Sequence, residues 1–194
     1  MQENDVNKLI EILLFLWTII KEVLPSICTI VVALISSRMV IKSSNKAAKK
    51  EEANRLQNKL ENFYFPFLLL SKKTTQLYNG FYKIWGKEYN SCLDFLLDNQ
   101  QFQGNSLVLF KEIIDNNRML NDLIIKYSAL ISNANLRNDL SKLSAHYTLL
   151  ELSYEQKLVG NQEVLKEYVF PENVVKNVED EITRILQCID ELNK

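Results

Sequence analysis

The chain has 194 residues, of which 47% are hydrophobic and 24% charged, and its formal net charge is −1. This composition excludes a disordered tail, and the nearly neutral charge gives no reason to expect nucleic-acid binding. Only four glycines and three prolines occur, so the sequence favours long helices with few turns.

The first segment, residues 1–22, is apolar but flanked by acids. It contains the run LIEILLFLWTII (9–20) and carries two lysines against four acidic residues. We interpret it as an amphipathic or interfacial helix, with Trp17 suited to an interface. It is alternatively a tilted continuation of the next segment, a short first span in a hairpin that turns near KEVLPS (21–26), or a helix packed on a soluble domain. Pro25 provides a possible break.

The second segment, residues 23–41, is predicted to be a transmembrane helix. Residues 23–37 carry no charge and include eight Val, Leu and Ile residues, which together favour insertion by roughly 2–5 kcal/mol. Basic residues follow at once, and we name them the basic exit: Arg38, Lys42, Lys46, Lys49 and Lys50. Because basic residues that flank a transmembrane span remain on the cytoplasmic side, we expect an inner-membrane protein whose C-terminal part is cytoplasmic. The alternative is a helix buried in a soluble protein.

Two further features of the apolar region bear on association. Thr29, Ala33 and Ser37 recur every four residues, a small-residue spacing that either allows close helix approach or reflects ordinary span composition. The ionisable residues in or near the region are Glu11, Lys21 and Glu22. Charges at membrane depth are costly and tend to face a bundle interior or water.

The remainder of the chain predicts a helical stalk and a bundle. Residues 42–62 are interpreted as a basic juxtamembrane stalk, in which Leu56 and Leu60 begin an apolar stripe. Residues 63–194 are interpreted as a cytosolic bundle of four or five helices. Within it, FYFPFLLL (63–70) is assigned to the core, Pro66 restarts the helix, and long helices are expected over 106–132, over 136–158 and from Pro171 onward.

No residue pattern indicates a reaction. The single histidine, His146, has no partner at metal-pair spacing, and the cysteines Cys28, Cys92 and Cys188 match no metal or disulfide pattern. Phosphate-loop, nucleophile-elbow and metalloprotease motifs do not occur in the sequence. We therefore predict a non-enzymatic protein without metal or cofactor.

The order of these parts carries a resemblance. An apolar N-terminus, a basic exit, LENFYFPFLLLSKKTTQLYNGF (60–81) and SAHYTLLE (144–151) together resemble small membrane-anchored helical proteins of bacteria, including membrane effectors of phage-defence systems. The resemblance implies a protein whose cytosolic part receives a signal and whose N-terminal helices associate in the membrane. The expected partners are the lipid bilayer and either further copies of the chain or a soluble protein. A passive anchor for such a partner and a soluble helical adaptor remain alternatives.

Overall fold

A computed structural model describes residues 3–86, 91–158, 163–167, 170–171 and 173–194. These residues form helices and no strand, which confirms the predicted all-α class. The chain divides into two compact units, Met1–Glu51 and Glu52–Lys194. The α-helices are α1 (Glu3–Lys59), α2 (Phe65–Trp85), α3 (Cys92–Leu97), α4 (Gly104–Tyr127), α5 (Ala134–Tyr154) and α6 (Val174–Leu192).

The first unit is formed by the N-terminal part of α1, which is helical on both sides of Pro25. The hairpin interpretation is therefore wrong, because the chain does not turn near residues 21–26. A proline removes one backbone donor and strains the helix, but here no glycine, asparagine or aspartate accompanies it to reverse the chain. The Thr29 hydroxyl donates to the Pro25 carbonyl at 2.8 Å, within the same helix.

The second unit has a core made of two clusters of buried side chains. One cluster joins the end of α1, residues 60–64 and the first turn of α2 to α4, α5 and α6. It includes Leu60, Phe63, Phe67, Leu120, Leu140 and Val178. The other joins α2 to α3 and α4 and includes Phe81, Leu96, Phe102, Phe110 and Ile113. In the described residues the bundle thus uses α2 to α6 together with the last turns of α1, in agreement with the predicted helix number.

The packed unit begins earlier than the predicted boundary between residues 62 and 63. Ala53 and Leu56 are already buried, and their spacing to Leu60 places them on one face of the helix. Residues 52–62 therefore belong to the packed bundle. The exposed stalk ends at about Glu51.

A π-helical segment, Leu60–Tyr64, connects α1 to α2. Pro66 follows it in the first turn of α2, and the N–H of Phe65 donates to the Leu60 carbonyl. The proline ring would clash with the carbonyl four residues earlier in a regular α-helix, and a wider π turn relieves that clash. The helix restarts beside Pro66, as predicted.

Other local expectations were wrong. Within FYFPFLLL, Phe63, Tyr64 and Phe67 are buried, whereas Leu69 is largely exposed. The last helix begins at Val174 rather than at Pro171.

Candidate functional site

The first candidate site is the exposed apolar surface of α1. Every described side chain from Glu11 to Glu51 is exposed, including the large apolar residues of both segments. The most apolar 18-residue window of this helix contains no buried residue. Length and composition make it a helix that can cross a membrane. An apolar surface of this size is otherwise rare on soluble proteins.

The length of α1 defines where a span fits. The axial distance from Glu22 to Lys42 is about 30 Å, which equals the hydrocarbon thickness of a typical bilayer. Arg38 then lies about one turn inside the boundary, within reach of the headgroups through its long side chain. A span between Glu22 and Lys42 therefore needs no tilt.

That span leaves residues 12–20 beyond the hydrocarbon. They extend α1 by about 13 Å, and their large apolar side chains are exposed. Tilting the helix would draw them into lipid, but would carry Lys21 and Glu22 toward the bilayer centre, where each charge costs about 2.5–3.5 kcal/mol. Adjacent residues on a helix do not face each other, so these two charges do not neutralise one another. The Lys21 ammonium lies 5.8 Å from the centre of the Trp17 ring, back toward the N-terminus.

The small residues of α1 are fully available to a neighbour. Thr29, Ala33 and Ser37 are all exposed, and their four-residue spacing keeps them near one face of the helix. Cys28 is also exposed, but it lies about 140° around the helix from Ala33 and is therefore not part of this face. Because the Thr29 hydroxyl already donates within its own helix, this face offers close approach more than new hydrogen bonds.

The basic exit is helical and exposed throughout. Arg38, Lys42 and Lys46 follow at four-residue spacing. With Lys42 at the hydrocarbon boundary, Lys46 lies about 6 Å beyond it, and Lys49 and Lys50 lie about 10–12 Å beyond it. Only the distances of Lys49 and Lys50 exceed the screening length of about 8 Å at physiological salt. On an untilted helix, the attraction to anionic lipid therefore comes mainly from the first three residues of the basic exit.

A polar cluster lies where α1 enters the bundle. Lys59 is buried, and its ammonium donates to the Ser132 hydroxyl at 2.8 Å. Burial lowers the pKa of Lys59, and the neighbouring Arg55 acts in the same direction. On α6, the buried Glu181 accepts two hydrogen bonds from Arg184, at 2.6 and 3.0 Å, and they hold the pKa of Glu181 below its usual value.

The second candidate site is a cavity of about 480 Å³ inside the bundle. Described residues of α2, α3, α5 and α6 line it, together with Lys166 and Phe170 from the segment between α5 and α6. Its walls are mainly apolar and aromatic. Its volume falls in the range of small-molecule binding sites.

The side chains of this cavity lack the features of an activated nucleophile or a metal site. The Cys92 thiol donates to the Tyr82 hydroxyl at 3.5 Å, and burial raises its pKa to about 11. The thiol is therefore protonated near neutral pH and is a poor nucleophile. The His146 ring lies edge-on to Phe170, with 5.6 Å between ring centres. No cluster of three or more potential metal ligands occurs among the described residues.

Sequence reasoning missed this cavity entirely. It singled out His146 and Cys92 separately, but nothing in the sequence indicates that α2, α3 and α5 bring them to one cavity. The polar residues Asn116 and Asn117 are likewise buried in α4 beside an otherwise apolar stripe. Asn116 donates to the Leu70 carbonyl at 3.0 Å and to Thr74.

No protein-family model, curated protein sequence or solved structure matches this chain. The fold and the two candidate sites define its class as a helical bundle with one long apolar N-terminal helix that can cross a membrane.

Proposed function

We propose that the protein is a non-enzymatic membrane effector of the bacterial inner membrane. Its bundle lies in the cytoplasm and receives a signal, and its α1 helices associate in the bilayer and breach it. The observation that carries the proposal is the fully exposed apolar surface of α1, interrupted by Lys21 and Glu22.

Association follows from the poor fit of a single α1 to a bilayer. An untilted helix leaves apolar residues 12–20 in the interface or in water, and a tilted helix draws two charges into lipid. A second copy resolves both problems. It covers apolar surface, and it lets Lys21 of one copy face Glu22 of the other or lets both residues face water. The exposed face of Thr29, Ala33 and Ser37 permits the close approach that such packing needs.

The proposal is tested by overexpression, because a self-associating span responds to its own concentration. A potential-sensitive dye should report depolarisation when the full chain is induced, with phage infection as an additional trigger suggested by the resemblance. Ala33→Leu should weaken the effect by blocking close approach, and Ala47→Leu serves as the matched control on the exposed stalk. A variant that carries Ala33→Cys in a background without the native cysteines should form oxidant-induced dimers, since position 33 is the centre of this face.

A passive anchor predicts different results. Membrane potential would stay unchanged even at levels where the Ala33→Cys variant cross-links, and an unrelated single span in place of residues 1–41 would preserve function. Either result would refute the effector proposal while leaving membrane attachment intact.

A further inference from the structure

The cavity of the bundle is lined by a residue whose hydroxyl has no protein partner. Tyr147 lines the cavity and is only 4% exposed. Its hydroxyl makes no hydrogen bond with the described residues. A buried polar group without a partner is unfavourable, so a ligand that supplies one gains affinity.

The rest of the wall favours an aromatic ligand. Tyr78, Tyr82, Tyr147 and Phe170 present rings to one cavity, and aromatic rings pack well in offset or edge-on arrangements. The volume of about 480 Å³ suits a molecule of two to several rings. The shape and chemistry together favour flat apolar surface with a small number of polar atoms.

The charges of the wall disfavour an anion. Among the described lining residues, Asp94 carries the acidic side chain and Lys166 the ammonium group. The Lys166 ammonium is 3.0 Å from the Asp98 carboxylate, so its charge is already balanced. An anionic ligand would be repelled by Asp94 and would lose its hydration on entering an apolar site.

We propose that this cavity binds an uncharged aromatic small molecule with at least one hydrogen-bonding group, and that such a molecule is the signal received by the bundle. The second half of this statement rests on the proposed function. The first half does not, because the cavity is built entirely within the bundle.

The binding claim is tested with 2-naphthol as a neutral probe, 2-naphthoate as its anionic counterpart and 2-naphthylmethylamine as its cationic one. Calorimetry uses the purified full chain in lipid nanodiscs, or in buffer if carbonate washing releases the protein from membranes. Thr75→Trp fills the cavity from its exposed rim. Heat measured with this variant therefore reports probe that dissolves in lipid rather than probe that binds the cavity. Gln76→Trp is the matched control, because Gln76 is exposed on the same helix and does not line the cavity.

We expect saturable 1:1 binding of 2-naphthol, at least tenfold weaker binding of both charged probes, and loss of binding in Thr75→Trp but not in Gln76→Trp. Tyr147→Phe should weaken 2-naphthol severalfold while leaving the ligand-free protein as stable as the parent or more so, since it removes a hydroxyl without a partner. Tightest binding by a charged probe, or equal heats in the parent and Thr75→Trp, would overturn the proposal. Binding without any effect of ligand on membrane potential would refute only the signalling half.

Discussion

Phe102 offers the sharpest test of the bundle, because its burial depends on tertiary packing alone. It lies in the loop before α4, is 4% exposed, and its ring centre is 4.4 Å from that of Phe110 and 4.5 Å from that of Phe95. Phe102→Ala should cost about 3–5 kcal/mol of unfolding free energy through lost burial and a residual void. A domain of this size has about 5–15 kcal/mol in total, so the unfolding midpoint should fall by roughly 6–20 °C.

Trp85 provides the signal for this measurement, since its ring centre lies 5.3 Å from that of Phe102. The chain has two tryptophans, so a Trp17→Phe background makes fluorescence specific to the bundle. Phe65→Ala is the matched control, because Phe65 is 42% exposed and its loss should cost less than about 2 kcal/mol. Equal effects of the two variants, or a loss below about 1 kcal/mol for Phe102→Ala, would refute the packing of Phe102 against Phe95, Phe110 and Trp85.

Two further predictions concern charge. Replacing the first three residues of the basic exit with Gln should remove about 3 kcal/mol of surface attraction and give mixed orientation, whereas replacing its last two should leave orientation nearly unchanged. Thiol labelling at a cysteine introduced at Ser44 reports the orientation of both variants, and equal effects would contradict the untilted placement. Glu181→Gln should lower the thermal midpoint near pH 7, because Arg184 holds the pKa of Glu181 below 4.5 in the folded state. This stabilisation is present above the unfolded pKa of Glu181 and is lost as pH falls through its lower folded pKa. The difference between the parent and variant midpoints should therefore shrink as the pH falls below 4.5. A difference that stays constant down to the most acidic pH at which the protein folds would refute the ion-pair origin.

Sequence periodicity predicted the helices well, because each long helix buries one face and therefore shows an apolar repeat. Leu56 and Leu60 were predicted to begin an apolar stripe, and both are buried. Periodicity cannot indicate the burial of Phe102, because a loop residue is not part of a helical repeat. It also cannot indicate Tyr147 as a cavity residue, because the cavity exists only where α2, α3 and α5 meet.

The N-terminal region shows another limit of sequence reasoning. Composition alone left a hairpin open, because Pro25 and the adjacent charges resemble a turn. The backbone is helical from Glu3 to Lys59, since one proline removes a single donor and neighbouring residues still favour helix. Because the helix is continuous, Lys49 and Lys50 lie farther from the membrane than Arg38. Their expected contribution to the attraction to anionic lipid is therefore smaller, although the sequence analysis had grouped them with Arg38.

The central claim, that α1 spans a membrane, is tested most directly by the accessibility of its two ends. Single cysteines replace Lys8 and Ser44 in a chain whose native cysteines are changed to serine, and spheroplasts are treated with an impermeant maleimide. The account predicts labelling at position 8 on intact spheroplasts and labelling at position 44 only after permeabilisation. Protection of both positions, or labelling of both, would contradict a span with the bundle in the cytoplasm.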